Sequence, residues 1–271
     1  MLEINLEHAE KVIVSFIKDS IYKNNFKNGI VGVSGGLDSA VTLYLVQKAL
    51  GSKNTFALLM PYKLSSKYGT EHAKLICEKL KVGYEIIEIS ESIDAYFNKY
   101  PTNSKTLIGN KCARERMSIL YDFSARKRAL VVGTSNKSEL LIGYSTLYGD
   151  SAAAFLPIGD LYKTQIFTFA TYLHIPKYVI DKKPSADLWK NQTDEQEIGI
   201  SYKELDEILY NLVDLRKGDI EIEKLGYLKE NVVKIKNMII NSQYKKTMPP
   251  VAKIQNRTIG IDFRYPRDWD R

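Results

Sequence analysis

A run of glycine, serine and aspartate near the N-terminus constrains the fold of this chain more than any other feature. Residues 32–39 read Gly-Val-Ser-Gly-Gly-Leu-Asp-Ser, follow the apolar residues 29–31 and open a helical pattern over residues 40–50. Glycines between a strand and a helix let the backbone approach an anion closely, and the free amides and positive dipole end of the helix attract that anion. The run therefore predicts a strand, a phosphate-binding turn and a helix.

The polar side chains of this loop suit nucleotide chemistry. Ser34 and Ser39 supply hydroxyl donors, and Asp38 supplies a hard carboxylate oxygen of the kind that Mg²⁺ prefers. The loop is not a Walker A loop, because no Gly-Lys-Ser/Thr ends it. Its order resembles the SGGxDS motif of the PP-loop ATP pyrophosphatases, which implies cleavage of ATP between the α- and β-phosphates. The alternative is a serine-glycine turn that only caps a helix.

The alternation of apolar runs and amphipathic segments predicts an α/β fold. Strands are predicted at 29–33, 55–60, 83–89 and 129–133, and helices at 6–24, 65–81, 110–127, 201–213 and 223–242. Short apolar strands between helices are typical of a doubly wound, Rossmann-like parallel sheet with helices on both faces, which binds ligands at the carboxyl ends of its strands. We predict one domain over residues 1–271, with a core at about 10–180 and a polar, proline-containing lid loop at 183–199.

Composition indicates the expected cellular compartment and the kinds of partner molecule. The chain has 271 residues and a formal charge of +7, with no apolar run of membrane-spanning length and no signal-peptide pattern at the N-terminus. Two cysteines, Cys77 and Cys112, form no disulfide framework, which favours a reducing cytoplasm. The basic residues are spread along the chain, as on a solvated surface, so neither a nucleic acid nor a membrane is the expected partner.

A second polar block indicates the same chemistry. Residues 133–139, Gly-Thr-Ser-Asn-Lys-Ser-Glu, follow a predicted strand and open a helix. Thr134 is placed to contact ATP and Glu139 to offer a second carboxylate to a metal, although a helix cap by Ser135 with a solvated Glu139 would also explain the block. Lys163 lies at a predicted helix start, where a cation opposes the helix dipole. Binding a phosphate chain would give that lysine a reason to be there.

Four blocks in this order resemble the ammonia-dependent NAD synthetases over about residues 10–250. The blocks are the glycine loop, GTSNKSE, the pair YGD and LPIGDLYKT, and the stretch from KPSADL to QTDE. The resemblance implies a magnesium-dependent ligase and homodimer that amidates deamido-NAD to NAD with ammonia. The nicotinate carboxylate would attack the α-phosphate of ATP, pyrophosphate would leave, and ammonia would displace AMP from the acyl-adenylate.

The resemblance also implies roles for individual residues. The expected catalytic residues are Asp38 and Lys163, and the expected Mg²⁺ ligands are Asp38 and Glu139. Deamido-NAD would contact Arg114 and Lys245. ATP would contact Gly32, Val33, Ser34, Gly35, Gly36, Leu37, Asp38, Ser39, Thr134, Lys163 and Ser185.

Three positions depart from the family pattern around the dinucleotide. Leu147 and Ala154 stand where many relatives have a lysine and an aspartate, and Tyr244 stands where a histidine often precedes the lysine. The dimer interface is expected on the helix at 110–127, near Arg114.

Two other functions compete with this interpretation. A tRNA-modifying PP-loop adenylase would need a basic, aromatic RNA-binding module, whereas residues 200–242 have mixed charge. A nucleotide-binding sensor without turnover would be expected to have lost Asp38 or Glu139, and the chain retains both.

Overall fold

Helices and strands alternate through the first half of the chain, as the sequence predicts. The computed structural model describes residues 2–65, 67–185 and 193–263. The strands are β1 (Asn28–Gly32), β2 (Thr55–Leu59), β3 (Gly83–Ile86) and β4 (Ala129–Val132). The helices are α1 (Leu6–Tyr22), α2 (Leu37–Leu50), α3 (Lys67–Leu80), α4 (Ser90–Lys99), α5 (Lys105–Lys127), α6 (Lys137–Ile142), α7 (Lys163–Tyr172), α8 (Lys177–Ile180), α9 (Asp194–Ile198), α10 (Tyr202–Leu209), α11 (Asp219–Glu223) and α12 (Lys229–Asn241).

The strands form a parallel sheet whose order brings the two polar loops together. Within the described residues the order is β3-β2-β1-β4, and Ile30 of β1 lies opposite Phe56 of β2 and Val131 of β4. The chain winds outward from β1 in one direction through β2 and β3, and then returns to the other side of β1 with β4. Ligands of open α/β sheets bind at such a reversal. The loops after β1 and β4 both leave the sheet there.

Helices cover both faces of this sheet, which confirms the predicted doubly wound arrangement. Val31 and Val132 face one apolar core, which α1, α2 and α7 complete, whereas Ile30 and Val131 face a second core under α4 and α5. Successive strand residues point to opposite faces, so a strand buried on both sides must be apolar throughout. A third apolar cluster joins α10, α11 and α12 to α6.

Several predicted boundaries differ from the structure for local reasons. The helix predicted at 110–127 begins at Lys105, because the Ser104 hydroxyl accepts a hydrogen bond from the amide of Leu107 and caps an earlier turn. The helix predicted at 223–242 is wrong as one element, because Gly226 has a φ of 101° and separates α11 from α12. Helix α4 follows β3 at residues that were not predicted to be helical.

The predicted lid loop at 183–199 is wrong at its C-terminal end. Residues Asp194–Ile198 form α9, whose first turn is acidic, as the helix dipole favours. The helix ends at Gly199, which has a φ of 72°. The centre of the predicted loop, 186–192, lies outside the described residues. No helix among the described ranges is both long and apolar enough to cross a bilayer.

Candidate active site

The loop between β1 and α2 has the geometry of an anion-binding turn. Gly35 has a φ of 73°, and a Cβ built on it would lie 2.0 Å from the carbonyl oxygen of Gly69. Only glycine fits that backbone. The N-cap of α2 is Gly36, which offers no side-chain oxygen to the first helical amides. Ser34 Oγ and Ser39 Oγ lie 3.3 Å apart beside these amides. The turn therefore presents amide and hydroxyl donors to one point.

Three charged side chains from three helix starts meet at this point. Lys163 Nζ, from the first residue of α7, lies 2.5 Å from Asp38 Oδ2 and 3.4 Å from Glu139 Oε1. The exposed fractions of the three side chains are only 3% for Lys163, 19% for Asp38 and 16% for Glu139. Sequence reasoning predicted that Asp38 and Glu139 meet, and the structure brings both to the same ammonium group.

Burial and mutual attraction set the protonation of this cluster. Burial raises the pKa of Glu139 to about 8, although the positive charge of Lys163 opposes that shift. Burial acts to lower the pKa of Lys163, but attraction to Asp38 and Glu139 outweighs it and the net pKa of the lysine is raised. Lys163 is therefore charged at every physiological pH. Glu139 therefore holds a proton over part of the neutral range, and a further cation beside it would lower its pKa.

Asn136 connects the loop after β4 to the loop after β1. Its side-chain oxygen accepts a hydrogen bond from the Glu139 amide at 3.0 Å and so caps α6. Its Nδ2 donates to Asp38 Oδ1 at 3.3 Å. The alternative of a cap by Ser135 with a solvated Glu139 is therefore wrong, because Asn136 is the cap and Glu139 is largely buried. The Asn136 side chain also orients a candidate catalytic carboxylate.

Sequence reasoning missed a third carboxylate beside Lys163. Asp194, the first residue of α9, is buried and lies 3.1 Å from the hydroxyl of Tyr144 and 3.3 Å from that of Tyr202. The ring of Tyr202 lies 5.1 Å from Lys163 Nζ, within cation–π range. Glu197 also accepts from Tyr144, at 2.6 Å. The available signal was the acidic stretch before Gly199, which the sequence analysis treated only as part of a block.

These side chains open on a cavity of about 910 Å³ at the carboxyl edge of β1 and β4. That volume suits a ligand of nucleotide size. Most of the predicted ATP contacts line it, and Gly35 lies behind the wall against Gly69. The predicted residues in the wall are Gly32, Val33, Ser34, Gly36, Leu37, Asp38, Ser39, Thr134, Glu139, Lys163, Ser185 and Lys245.

Arg114 lies outside this cavity. It is exposed, and its Nε donates to the carbonyl oxygen of Leu147 at 3.2 Å. Arg116, two residues along α5 and so on the opposite side of the helix, lines the cavity and donates to the carbonyl oxygen of Met60 at 2.9 Å. Nothing in the local sequence distinguishes these two arginines, and the sequence analysis did not select Arg116.

The remaining predicted positions lie around the rim. Lys245 Nζ donates to the carbonyl oxygens of Gly143 at 2.8 Å and Ser145 at 2.7 Å. Its neighbour Tyr244 is 64% exposed. Ala154 donates its amide to the carbonyl oxygen of Val131 at 2.9 Å, so its backbone extends the sheet edge. The three departures from the family pattern therefore lie outside the Lys163 cluster.

Comparisons with known proteins identify relatives along the whole chain. The family model described as NAD synthase matches residues 9–249. The NH3-dependent NAD⁺ synthetase of Trichlorobacter lovleyi is 46% identical over 270 residues, which cover 100% of this chain and 99% of that protein. The protein of the same name from Fusobacterium nucleatum is 48% identical over 254 residues, which cover 94% and 98%.

Solved structures agree with the sequence matches. The NH3-dependent NAD synthetase of Campylobacter jejuni, solved with a nitrate ion, is 36% identical with a TM-score of 0.78, and the match covers 93% of this chain and 100% of that one. The NMN synthetase of Francisella tularensis is 29% identical with a TM-score of 0.82 over the same shares of the two chains.

Proposed function

We propose that this chain, which belongs to the NAD synthase family, catalyses the ATP-dependent amidation of deamido-NAD with ammonia. It is a ligase that forms a C–N bond, and its reaction completes NAD biosynthesis. The observation that supports this chemistry most directly is the position of Lys163. Its ammonium group lies between two carboxylates, next to the glycine-rich turn that begins α2. Such a site suits a triphosphate whose charge is redistributed during the reaction.

The proposed reaction has two steps. A nicotinate carboxylate oxygen bonds to the α-phosphorus of ATP while the bond to the β-phosphate breaks, and pyrophosphate leaves with the bonding electrons. Ammonia then bonds to the carbonyl carbon of the acyl-adenylate, the bond to AMP breaks, and the nitrogen loses a proton as the amide forms. The carboxylate is ionised at neutral pH, so the first step needs no general base.

Each cluster residue has a proposed task in the first step. The amides of residues 32–39 and the hydroxyls of Ser34 and Ser39 hold the phosphate chain. Thr134 and Ser185, which line the cavity, contact ATP. The ammonium group of Lys163 faces the phosphate oxygens and stabilises the negative charge that gathers on them as pyrophosphate departs.

Two carboxylates fit a magnesium ion at the same place. Asp38 and Glu139 offer hard oxygen donors, and both lie against one cation, Lys163. Among the described residues no three acidic, histidine or cysteine side chains come close enough to enclose a metal. Mg²⁺ is commonly held by one or two carboxylates together with substrate phosphates, so the pair is sufficient. When bound, the ion would neutralise phosphate charge.

The dinucleotide and assembly assignments also belong to the proposal. Arg114 faces away from the ATP cavity on α5, so a deamido-NAD molecule that reaches it must extend past the rim where Lys245 lies. A second copy packed against α5 would cover that extension. We therefore propose a homodimer of single-domain subunits in the cytoplasm, with neither a membrane nor a nucleic acid as partner.

One assay tests the proposal. The protein is incubated with deamido-NAD, ATP, Mg²⁺ and ammonium, and NAD, AMP and pyrophosphate are expected in equal amounts. Nicotinate mononucleotide is assayed in parallel, because one structural neighbour is an NMN synthetase. A higher kcat/KM for the mononucleotide would reassign the substrate, and formation of ADP in step with the amide would refute the adenylation.

A further inference from the structure

The start of α7 is held by side chains that belong to other helices. Its N-cap residue, Tyr162, places no oxygen within reach of the first helical amides. The amide of Lys163 instead donates to Ser138 Oγ of α6 at 2.9 Å, and the amide of Thr164 donates to Asp206 Oδ2 of α10 at 2.8 Å. Unsatisfied amides at a buried helix start are costly. The side chains of Ser138 and Asp206 therefore cap α7.

Asp206 is the residue on which these contacts converge. Its Oδ1 accepts from the Ser138 hydroxyl at 2.5 Å, and its Oδ2 also accepts from the Thr164 hydroxyl at 2.8 Å. Asp206 has no exposed surface. A buried carboxylate is tolerated only when donors surround it, and here three donors do so. A negative charge at the N-terminus of α7 also offsets the unfavourable position of Lys163 there.

The residues that Asp206 binds are the chain neighbours of the cluster. Ser138 directly precedes Glu139, and Thr164 directly follows Lys163. One carboxylate thus fixes the starts of α6 and α7 relative to each other, although residues 138 and 164 are far apart in sequence. Asp206 is not among the residues that line the cavity, so it acts through these neighbours and has no direct contact with a ligand there.

The helical extension of α10 makes a parallel pair of contacts. Asp214, at the end of a π-helical segment, Tyr210–Asp214, accepts from Lys137 Nζ at 2.8 Å and from the Tyr162 hydroxyl at 2.5 Å. Lys137 begins α6 and Tyr162 precedes α7, so α10 and its extension hold both helix starts from the same side. Two separate carboxylates, Asp206 and Asp214, thus bind both helix starts, which is more than the burial of a single carboxylate would require.

We propose that Asp206 is a positioning residue, which holds Lys163 and Glu139 in the mutual geometry that adenylation requires. The proposal rests on the function given above. A displacement of about 1 Å at the reacting groups is enough to lower a rate roughly 100-fold. Loosening the start of α7 moves the backbone that carries Lys163, whereas the amides that hold ATP belong to α2. We therefore expect kcat to fall more than the KM for ATP rises.

The test compares variants that differ by one donor or acceptor. Asp206→Asn is expected to lower kcat about 10- to 100-fold and to change the KM for ATP by less than about threefold. Thr164→Val removes only a hydroxyl donor and is expected to lower kcat about 10-fold, while Thr164→Ser restores it. Glu207→Gln is the matched control on α10, because the Glu207 carboxylate accepts from the Tyr227 hydroxyl, which does not belong to the start of α6 or α7.

The outcomes separate positioning from simple stabilisation. A kcat for D206N and T164V within twofold of that of E207Q would overturn the proposal. A loss of kcat in T164S equal to that in T164V would do the same, because the donor would then be irrelevant. If D206N does not fold, the threonine pair decides. If the unaltered protein itself forms no NAD and releases no AMP, the proposed function is refuted instead. A loss of AMP release that is confined to the variants concerns the positioning proposal alone.

Discussion

Replacing Lys163 with methionine should destabilise the protein in a pH-dependent way. Methionine fills a similar volume but removes the cation that lies 2.5 Å from Asp38 and 3.4 Å from Glu139. All three side chains are less than one-fifth exposed, so water screens the remaining carboxylates poorly. Removing one member of a buried ion pair costs about 3–5 kcal/mol, because the other is left uncompensated. We expect a loss of unfolding free energy in that range at pH 9.

The penalty should shrink as the pH falls. Burial holds the pKa of Glu139 at about 8 in the folded protein, above its ordinary value of 4.5, and loss of Lys163 raises it further. In the unaltered protein Glu139 loses its proton near pH 8, whereas the variant keeps that proton to a higher pH. Above about pH 8 the folded variant therefore binds more protons than the folded unaltered protein, so its stability continues to decrease as the pH rises and the penalty grows in that window. At pH 6 Glu139 is protonated in both folded proteins, so loss of Lys163 removes the partner of Asp38 alone.

Thermal unfolding of four proteins at pH 6 and pH 9 measures this effect. For a chain of this size 1 kcal/mol corresponds to about 2 °C, so K163M should unfold roughly 6–10 °C below the unaltered protein at pH 9. The double variant K163M/E139Q should recover part of that difference. Lys63→Met is the matched control, because Lys63 is 52% exposed in its pair with Asp94 and should contribute less than about 1 kcal/mol.

Two results would refute this reasoning. An unchanged unfolding temperature at pH 9 would mean that Lys163 does not compensate the carboxylates. A larger penalty at pH 6 than at pH 9 would mean that the proton uptake has the wrong sign. NAD formation by K163M should fall about 100- to 1,000-fold at either pH, since the loss of one transition-state contact has that magnitude.

Three further predictions follow from the site and the proposed assembly. Asp38→Asn should lower turnover about 100-fold or more, and near-normal turnover at limiting Mg²⁺ would remove Asp38 from the metal site. Gly35→Ala should abolish ATP binding, because the new Cβ would lie 2.0 Å from a backbone oxygen. The control is Gly51→Ala, which also has a positive φ, of 76°, but has open space around it, so it should lower the free energy of unfolding by only about 1–2 kcal/mol and retain activity. Equal thermal shifts and activities in the two variants would contradict the close contact at Gly35. Sedimentation at micromolar concentration should show a dimer that Tyr121→Lys on α5 weakens, and a monomer in both cases would exclude this interface.

The local parts of the site could be predicted from sequence because their causes are local. A turn that needs a φ of 73° at Gly35 requires glycine, and a helix start that binds an anion requires free amides. Both requirements depend only on residues that are adjacent in the sequence. The same holds for the alternation of apolar strands and helices, since most residues of β1, β2 and β4 are buried and the centres of these strands cannot include polar residues. The edge strand β3 is largely exposed and contains Glu85.

The long-range parts could not be predicted in this way. Lys163 and Asp38 are 125 positions apart, and only the sheet order places them at one point. Lys163 could be singled out by its place at a helix start and by the family resemblance, but neither indicates that it meets Asp38. Asp206 has no local signal in the sequence, and the acidic stretch that contains Asp194 does not indicate which of its residues is buried. The choice between Arg114 and Arg116 depends on the rotation of α5 relative to the sheet, which no pattern within that helix determines.

The charge of the site explains why its carboxylates suit a ligand that is itself negative. Asp38 and Glu139 lie against the ammonium group of Lys163, and the buried Asp194 adds a third negative charge nearby. These groups together carry excess negative charge, which the raised pKa of Glu139 reduces by proton uptake. A triphosphate would add more negative charge, and the amides of α2 offer only partial positive charges. Other positively charged side chains line the same cavity and supply part of the compensation, namely Lys105, Arg116, Lys182, Lys183 and Lys245. In the proposed reaction a metal ion that arrives with the nucleotide would supply the rest. Asp38 and Glu139, which would repel free ATP, would then be the proposed ligands that retain it as a metal complex.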